Sequence, residues 1–261
     1  MRVGLFATCI GDVMFPDAVK ATALVISRLG HEVVFPTEQS CCGQMHVNTG
    51  YQREAVPLVR TYTDAFADPA LDCVVIPSGS CTAAVREHHV RLAERYGDPA
   101  LADGARRVST KSYDLAEFLI DLAGVEDVGA FFPHRVTYHA SCHSLRFLRV
   151  GDRPYRLLQA VADIDLVPLP NREECCGFGG TFSLKNAETS AAMVADKARH
   201  VSETAAEYVT AGDASCLMNI GGALARQRAG VRALHLAEIL ASTRAHPWSP
   251  TSAAYTKEFM L

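Results

Sequence analysis

Arg2–Thr8 reads RVGLFAT and runs into Cys9; further along, Arg135–His139 reads RVTYH and leads to Cys142. Each stretch is a short apolar strand with a cysteine just beyond its end. The correspondence continues downstream. Cys9 is followed by Cys41-Cys42-Gly43 and then Cys81; Cys142 is followed by Cys175-Cys176-Gly177 and then Cys216. The interval from the lone cysteine to the pair agrees between the two sets to within a single position, and so does the interval from the pair to the last cysteine. Equivalent cysteines therefore keep a nearly constant offset along the chain. Eight of the nine cysteines obey this scheme. Cys73 does not: it has no counterpart, lies inside a strand, and is expected to be an ordinary core residue.

The segments between the cysteines alternate in the same way in both copies. Asp17–Leu29 carries apolar residues at helical spacing, with Pro16 ahead of it and Gly30 behind. A strand at His31–Phe35 precedes the first cysteine pair. A helix over Tyr51–Ala67, a strand at Asp72–Ile76, a helix over Thr82–Tyr96 and a helical stretch at Tyr113–Leu122 follow. The second copy predicts a helix over Tyr155–Ala162, a strand at Asp165–Leu169 and a long helix over Lys185–Glu207. Beyond them come strands at Tyr208–Ala211 and Val231–Leu234, with a helix over Leu217–Arg228 between. The closing segments also match, YDLAEFL at 113–119 against LHLAEIL at 234–240. Gly97, Pro99 and Gly104 read as an extra loop in the first copy.

Strands alternating with helices imply parallel sheets covered on both faces. The fold expected is two tandem Rossmann-like α/β repeats related by a pseudo-two-fold axis, over residues 1–131 and 132–241. Residues 242–261 form a tail outside the repeat, either a disordered extension or a segment that docks on a partner. Loops past the carboxyl ends of parallel strands open on one edge of a sheet, where such folds bind ligands. Cysteines far apart in the chain can therefore meet. A glycine after each pair suits the tight turn that two adjacent thiolates need.

Composition sets the compartment and excludes some functions. A chain of 261 residues that is 49% hydrophobic and 21% charged buries a sizeable core and stays soluble. A net charge of −4 gives no electrostatic case for nucleic acid or an anionic membrane. The apolar run at the N-terminus is too short for a signal peptide, and no stretch is long enough for a membrane span, so the cytoplasm is expected. In a reducing compartment, clustered cysteines more often bind metal or do redox chemistry than form disulfides.

Four thiolates around one point suit a [4Fe–4S] cluster or a tetrahedral zinc. The close Cys-x₂₋₄-Cys knuckles usual in structural zinc sites are absent, and the iron–sulfur cluster is the leading reading. The expected ligands are Cys9, Cys41, Cys42 and Cys81 for one site and Cys142, Cys175, Cys176 and Cys216 for the other. Beside them, His139 and His143 flank Cys142 as candidate hydrogen-bond donors to cluster sulfur or proton carriers. His46 is a weaker candidate. His88 and His89 read as solvent-facing on a helix. Arg146 and Arg172 are the candidates for holding a carboxylate. Gly177-Phe178-Gly179-Gly180 imitates a nucleotide loop, but no acidic ribose-binding residue stands at the expected position.

A lone Cys, then Cys-Cys-Gly, then a distal Cys, twice over, resembles the cysteine-rich CCG domain. That domain occurs in the B chain of heterodisulfide reductase, in the iron–sulfur subunit of glycolate oxidase and in lactate utilization protein A. The resemblance covers residues 1–241. In the heterodisulfide reductase chain each motif ends Cys-x-x-Cys and five thiolates bind a noncubane cluster pair. Here the motifs end Ser78-Gly79-Ser80-Cys81 and Asp213-Ala214-Ser215-Cys216. The fifth thiolate is missing in both, leaving Ser78 and Asp213 as possible oxygen ligands. These endings resemble the lactate-utilization branch. The resemblance implies an iron–sulfur redox subunit of an L-lactate oxidation system that works with lactate utilization proteins B and C. The competing functions are a heterodisulfide or thiol–disulfide reductase or glycolate oxidase component, and a zinc-bearing structural subunit.

Overall fold

Short apolar strands alternating with helices cannot pair as hairpins; the crossovers force parallel pairing. The computed structural model, which describes residues 1–248, shows this outcome twice. The first half comprises β1 (Arg2–Leu5), α1 (Cys9–Met14), α2 (Pro16–Arg28), β2 (Glu32–Val34), α3 (Gln44–Thr49), α4 (Val56–Ala65), β3 (Cys73–Ile76), α5 (Gly79–Ala83), α6 (Val90–Tyr96), α7 (Pro99–Thr110), β4 (Ser112–Asp114) and α8 (Leu115–Glu117). π-Helical turns over Ala84–His89 join α5 to α6. The second half comprises β5 (Arg135–Tyr138), α9 (Arg153–Gln159), β6 (Asp165–Val167), α10 (Phe182–Lys185), α11 (Ala187–Glu203), β7 (Tyr208–Ala211), α12 (Ala214–Arg226), β8 (Arg232–His235) and α13 (Leu236–Ala241). Among the described residues no helix is long and apolar enough to cross a membrane.

The sheets are ordered β2-β1-β3-β4 and β6-β5-β7-β8, and every pair is parallel. Registers match as well: Val3 faces Val33 and Cys73, and Val136 faces Leu166 and Tyr208. This order matters for the cysteines. In each half the three strands that lead into them are neighbours, with the first strand in the middle. The chain leaves that strand on one side and returns on the other, which is the switch point where open α/β sheets form crevices.

The matching segments YDLAEFL and LHLAEIL turn out to be the joint between the halves. Asp114 caps α8 in a capping box with Glu117, and His235 caps α13 in one with Glu238. From α13, Leu236, Ala237, Ile239 and Leu240 pack with Ala21, Val25 and Ile26 of α2, in the opposite half. α8 crosses the other way, so that Leu115, Ala116, Phe118 and Leu119 share one buried core with Leu157 and Leu158 of α9. The exchange is reciprocal, as a pseudo-two-fold requires. Ser78 and Asp213, equivalent positions, meet in an antiparallel bridge near its centre.

Three sequence expectations change. The stretch marked by Gly97, Pro99 and Gly104 is a helix, α7, with the Asp98 side chain accepting from Leu101 N at 2.9 Å and Pro99 in its first turn. Gly104 is needed because a Cβ there would sit 2.7 Å from Thr63 Cγ2. Tyr113 belongs to strand β4 rather than to a helix. Finally, the first residues of the expected tail dock on the chain itself. Ser242 O accepts from Phe131 N at 2.9 Å, and the Trp248 indole donates to Glu238 Oε1 at 2.9 Å. Residues 249–261 lie outside the described part.

Candidate metal centres

Each half builds a connected chain of thiols. Cys9 Sγ lies 3.6 Å from Cys41 Sγ, and Cys42 Sγ lies 3.1 Å from Cys81 Sγ, with Cys41 and Cys42 in contact between them. In the second half Cys142 meets Cys175, Cys175 meets Cys176, and Cys176 meets Cys216. None of the nine cysteines is in a disulfide. Cys73 is fully buried in β3 among core side chains, as expected of it. The two thiol chains are not remote from each other. All eight cysteines line one cleft between the halves. Thus the sequence-predicted ligands are all brought together, and both sets face the same space.

Local structure explains how the thiols are held. Both Gly43 and Gly177 adopt φ +81°, a left-handed turn that favours glycine. The turn points each glycine N–H back at the first cysteine of its pair, 3.4 Å from Cys41 Sγ and 3.3 Å from Cys175 Sγ. The carbonyl of the second cysteine is held in both halves by different chemistry. His89 Nε2 lies 2.9 Å from Cys42 O, and Asn219 Nδ2 donates to Cys176 O at 2.8 Å. The lone cysteine of the first half and both distal cysteines occupy helix starts rather than loops. Cys9 opens α1, Cys81 lies in the first turn of α5, and Cys216 lies in the first turn of α12. The positive end of the helix favours anionic sulfur there. Ahead of Cys9, Thr8 sits at φ +64°, an uncommon conformation for a non-glycine residue, with its hydroxyl accepting from Gly11 N at 3.1 Å.

Thiols in contact cannot all ionise alike. Hydrogen bonds from Cys42 and Cys9 hold the Cys41 thiol far below its ordinary range, and those from Cys142 and Cys176 do the same for Cys175. Cys9 and Cys142, the donors, are pushed up. A hydrogen bond with Cys176 brings Cys216 down to about 7.

The remaining candidates divide. Asp213 is buried with both carboxylate oxygens engaged: Oδ1 accepts from Ser215 N at 3.1 Å and Oγ at 2.5 Å, Oδ2 from Ser80 N at 2.8 Å and Ser78 Oγ at 3.3 Å. It caps its own helix and steadies the start of α5 in the other half. His143 bridges the halves, with Nε2 2.9 Å from Gln44 Nε2 and Nδ1 3.7 Å from Cys142 Sγ. His139 is fully buried by Cys176 and Cys216, with no nitrogen or oxygen partner for its ring nitrogens and a polar contact to the Cys216 sulfur. His46 exerts a Coulombic pull on Cys41. His89 is not solvent-facing: it is buried under Cys42, its ring edge-on to Tyr62, and burial holds its pKa down to about 4. Arg146 and Arg172 line a separate surface pocket with Glu173 and Glu174. The Gly179-Gly180 turn lines the cysteine cleft, and a Cβ on Gly180 would sit 2.9 Å from Met45 Cγ of the other half. Its glycines serve close approach. Lys197 escaped the sequence reading. It is fully buried, donates to Asn171 O at 2.7 Å and interacts electrostatically with Cys175, Cys176 and Cys216. Its place on an amphipathic helix looked like a solvated one.

The family pattern described as CCG, cysteine-rich domain, matches residues 3–86 and 136–221, one span per half. The chain is 47% identical to lactate utilization protein A of Oceanobacillus iheyensis, over 94% of this chain and 98% of that one. It is 46% identical to the protein of the same name from Geobacillus kaustophilus, over 92% and 98%. Against the Bacillus subtilis protein it is 43% identical over 93% and 100%. The chain belongs to the lactate utilization protein A family of CCG-domain proteins. Among solved structures, glutamate racemase RacE1 of Bacillus anthracis aligns with 92% of this chain, over 78% of its own length, at a TM-score of 0.35 and 11% identity, too distant to bear on either fold or function.

For a member of this CCG family the donor set fits a bound metal or iron–sulfur group. Eight reduced thiols in two matched chains, amides aimed at sulfur, and helix starts behind Cys9, Cys81 and Cys216 are the features that hold thiolate ligands. Ser78 and Asp213 do not stand ready as oxygen ligands, because their side chains are spent on each other and on helix caps.

Proposed function

We propose that this chain is the iron–sulfur redox subunit of an L-lactate-oxidising system, working in the cytoplasm with lactate utilization proteins B and C. One observation carries the reading: eight unpaired thiols converge on one cleft in a chain 47% identical to lactate utilization protein A. Cys9, Cys41, Cys42 and Cys81 would hold one cluster, of the [4Fe–4S] kind, and Cys142, Cys175, Cys176 and Cys216 the other. Bound clusters supply one-electron transfer. The chain's own residues hold and tune them. The Gly43 and Gly177 amides and the helix starts stabilise anionic sulfur, and the closed joint keeps both sets on one cleft. Converting lactate to pyruvate releases two electrons and two protons, so two donor sets on one cleft suit the pair.

Substrate is assigned elsewhere. Among the described residues no lysine or arginine lines the cleft, so a lactate carboxylate has no cationic partner there. Partner docking has support of its own. Val13 (74% exposed) follows Cys9 in α1, Phe147 follows Cys142, and Leu184 (80% exposed) lies in α10 just beyond the Gly179-Gly180 turn. These exposed apolar side chains are the positions at which a partner would dock.

A second reading has a specific observation behind it. Tetrahedral zinc with metal–sulfur bonds of about 2.3 Å has sulfur–sulfur edges of about 3.8 Å, and Cys9 and Cys41 are 3.6 Å apart. Deleting the gene should abolish growth on L-lactate where no other lactate dehydrogenase compensates. Wild-type chain should restore it; Cys42→Ser and Cys176→Ser should not. Full growth with both variants at normal protein levels contradicts a cluster-dependent role, and a colourless zinc-bearing protein from anaerobic cells establishes the second reading.

A further inference from the structure

Among the differences between the two cysteine sets, one buried polar side chain stands where the other half has an apolar one. Phe6 and His139 occupy equivalent positions, each the third position before the lone cysteine of its half. Phe6 fills an aromatic cluster, its ring 4.9 Å from that of Tyr62 and 5.9 Å from that of Phe66. His139 is as fully buried as Phe6, yet neither Nδ1 nor Nε2 meets a nitrogen or oxygen partner, and its one polar contact is with the Cys216 sulfur. Burying a ring nitrogen without a partner is costly, and the first half shows that a phenyl ring fits this position in the fold. The imidazole is not idle in direction either. A ring nitrogen of His139 and the sulfurs of Cys176 and Cys216 all lie within 4.8 Å of one another, and all three residues are buried.

We propose that His139 is a nitrogen ligand to the iron group held by the second cysteine set. The proposal rests on the iron–sulfur reading of that set. It fills the place left by the thiolate missing at Asp213, whose own carboxylate is already taken up by Ser215, Ser80 and Ser78. The first set, with Phe6 at the equivalent position, has thiolates alone. Neutral imidazole in place of an anionic ligand leaves less negative charge on the iron and raises the reduction potential, as histidine does in Rieske centres. The second site is then the electron-accepting end of the pair.

Pulsed EPR on the full chain tests this. Protein is loaded anaerobically with iron and sulfide and reduced with dithionite. Wild type is expected to show a nitrogen coupling of directly bound size that changes when histidine is ¹⁵N-labelled. In His139→Phe that coupling should vanish while iron in the first set stays. His139→Cys, which restores an anionic ligand, should keep full iron, lose the coupling and move the higher-potential signal down, which covers the case where the phenylalanine variant does not fold. A coupling that persists in either variant overturns the proposal. So does iron in the second set of wild type with no directly bound nitrogen, which leaves His139 as a hydrogen-bond donor to Cys216. A chain that takes up no iron at all fails the iron–sulfur reading itself, a result distinct from loss of one ligand.

Discussion

The two halves share strand order, register and thiol chain, but they surround their thiols differently. In the first half Phe6 and Tyr62 pack against each other beside the cysteines. In the second, His139 replaces Phe6, and Lys197 stands as far beyond Tyr62 as Cys216 stands beyond Cys81. One thiol set is thus backed by aromatic rings and the His89 imidazole, the other by His139 and a buried cation within electrostatic reach. A duplicated fold kept what places the sulfurs and diverged in what sets their charge environment. Under the proposed redox role, two identical sites would hold an electron pair with equal ease, and two different ones would give it a direction.

The largest effects are expected where the halves are alike. Ile239 and Leu119 are both fully buried in the joint, and truncating either to alanine should cost about 2–5 kcal/mol in chemical denaturation. If Leu119→Ala costs nothing while Ile239→Ala costs several, the reciprocal exchange of closing helices is wrong. The cysteine turns come next and should separate the halves. Gly43 and Gly177 share φ +81°, so alanine at either carries a backbone penalty of about 1–2 kcal/mol. A Cβ on Gly177 would also sit 2.8 Å from Ser190 O, whereas on Gly43 its nearest contact is 3.6 Å. Gly177→Ala should therefore destabilise more, and should lower iron in the second set before Gly43→Ala lowers it in the first. Equal effects would mean that the two turns are packed alike.

The smallest effect is in pH dependence, where the capping boxes differ. Burial raises Asp114, the cap residue, to about 7 in the first box. In the second it raises Glu238, the partner residue, to about 7, while the cap, His235, is itself lowered by burial to about 4. A carboxyl raised on folding binds its proton more tightly in the native state, so stability falls as pH rises from the unfolded value through about 7. His235 works in the opposite sense, its contribution lost as pH falls below about 6.5. The buried His89, also lowered to about 4, acts with His235 and offsets the two carboxyls up to about pH 6.5; denaturation midpoints should therefore decline only above about pH 6.5, and Glu238→Gln should flatten that decline in part, leaving Asp114's share.

The eight thiols announced themselves because spacing survives in a sequence. Parallel sheets followed from strand–helix alternation, and Gly43 and Gly177 were readable as turns because no other residue takes that conformation cheaply. What stayed hidden depends on contacts between distant segments. α7 was masked because Gly97, Pro99 and Gly104 look like breakers, although Pro99 only starts the helix and Gly104 only makes room for Thr63. β4 is a very short strand and merges into the helical pattern that follows it. The single cleft was not legible at all: intervals within each half define each thiol set and say nothing of how the halves face each other. Asp213 read as a displaced ligand until its donors were seen, two of them from the other half.

Metal and sulfide analysis of anaerobically prepared full chain, with Cys42→Ser, Cys176→Ser and Cys73→Ala alongside, bears most directly on the two-set site. Wild type should carry iron and acid-labile sulfide; each serine variant should lose the share of its own set and keep the other, because a hydroxyl is a poorer iron ligand than a thiolate. Cys73→Ala should match wild type. Zinc without sulfide in wild type, or loss of iron in Cys73→Ala with both serine variants fully loaded, would contradict it.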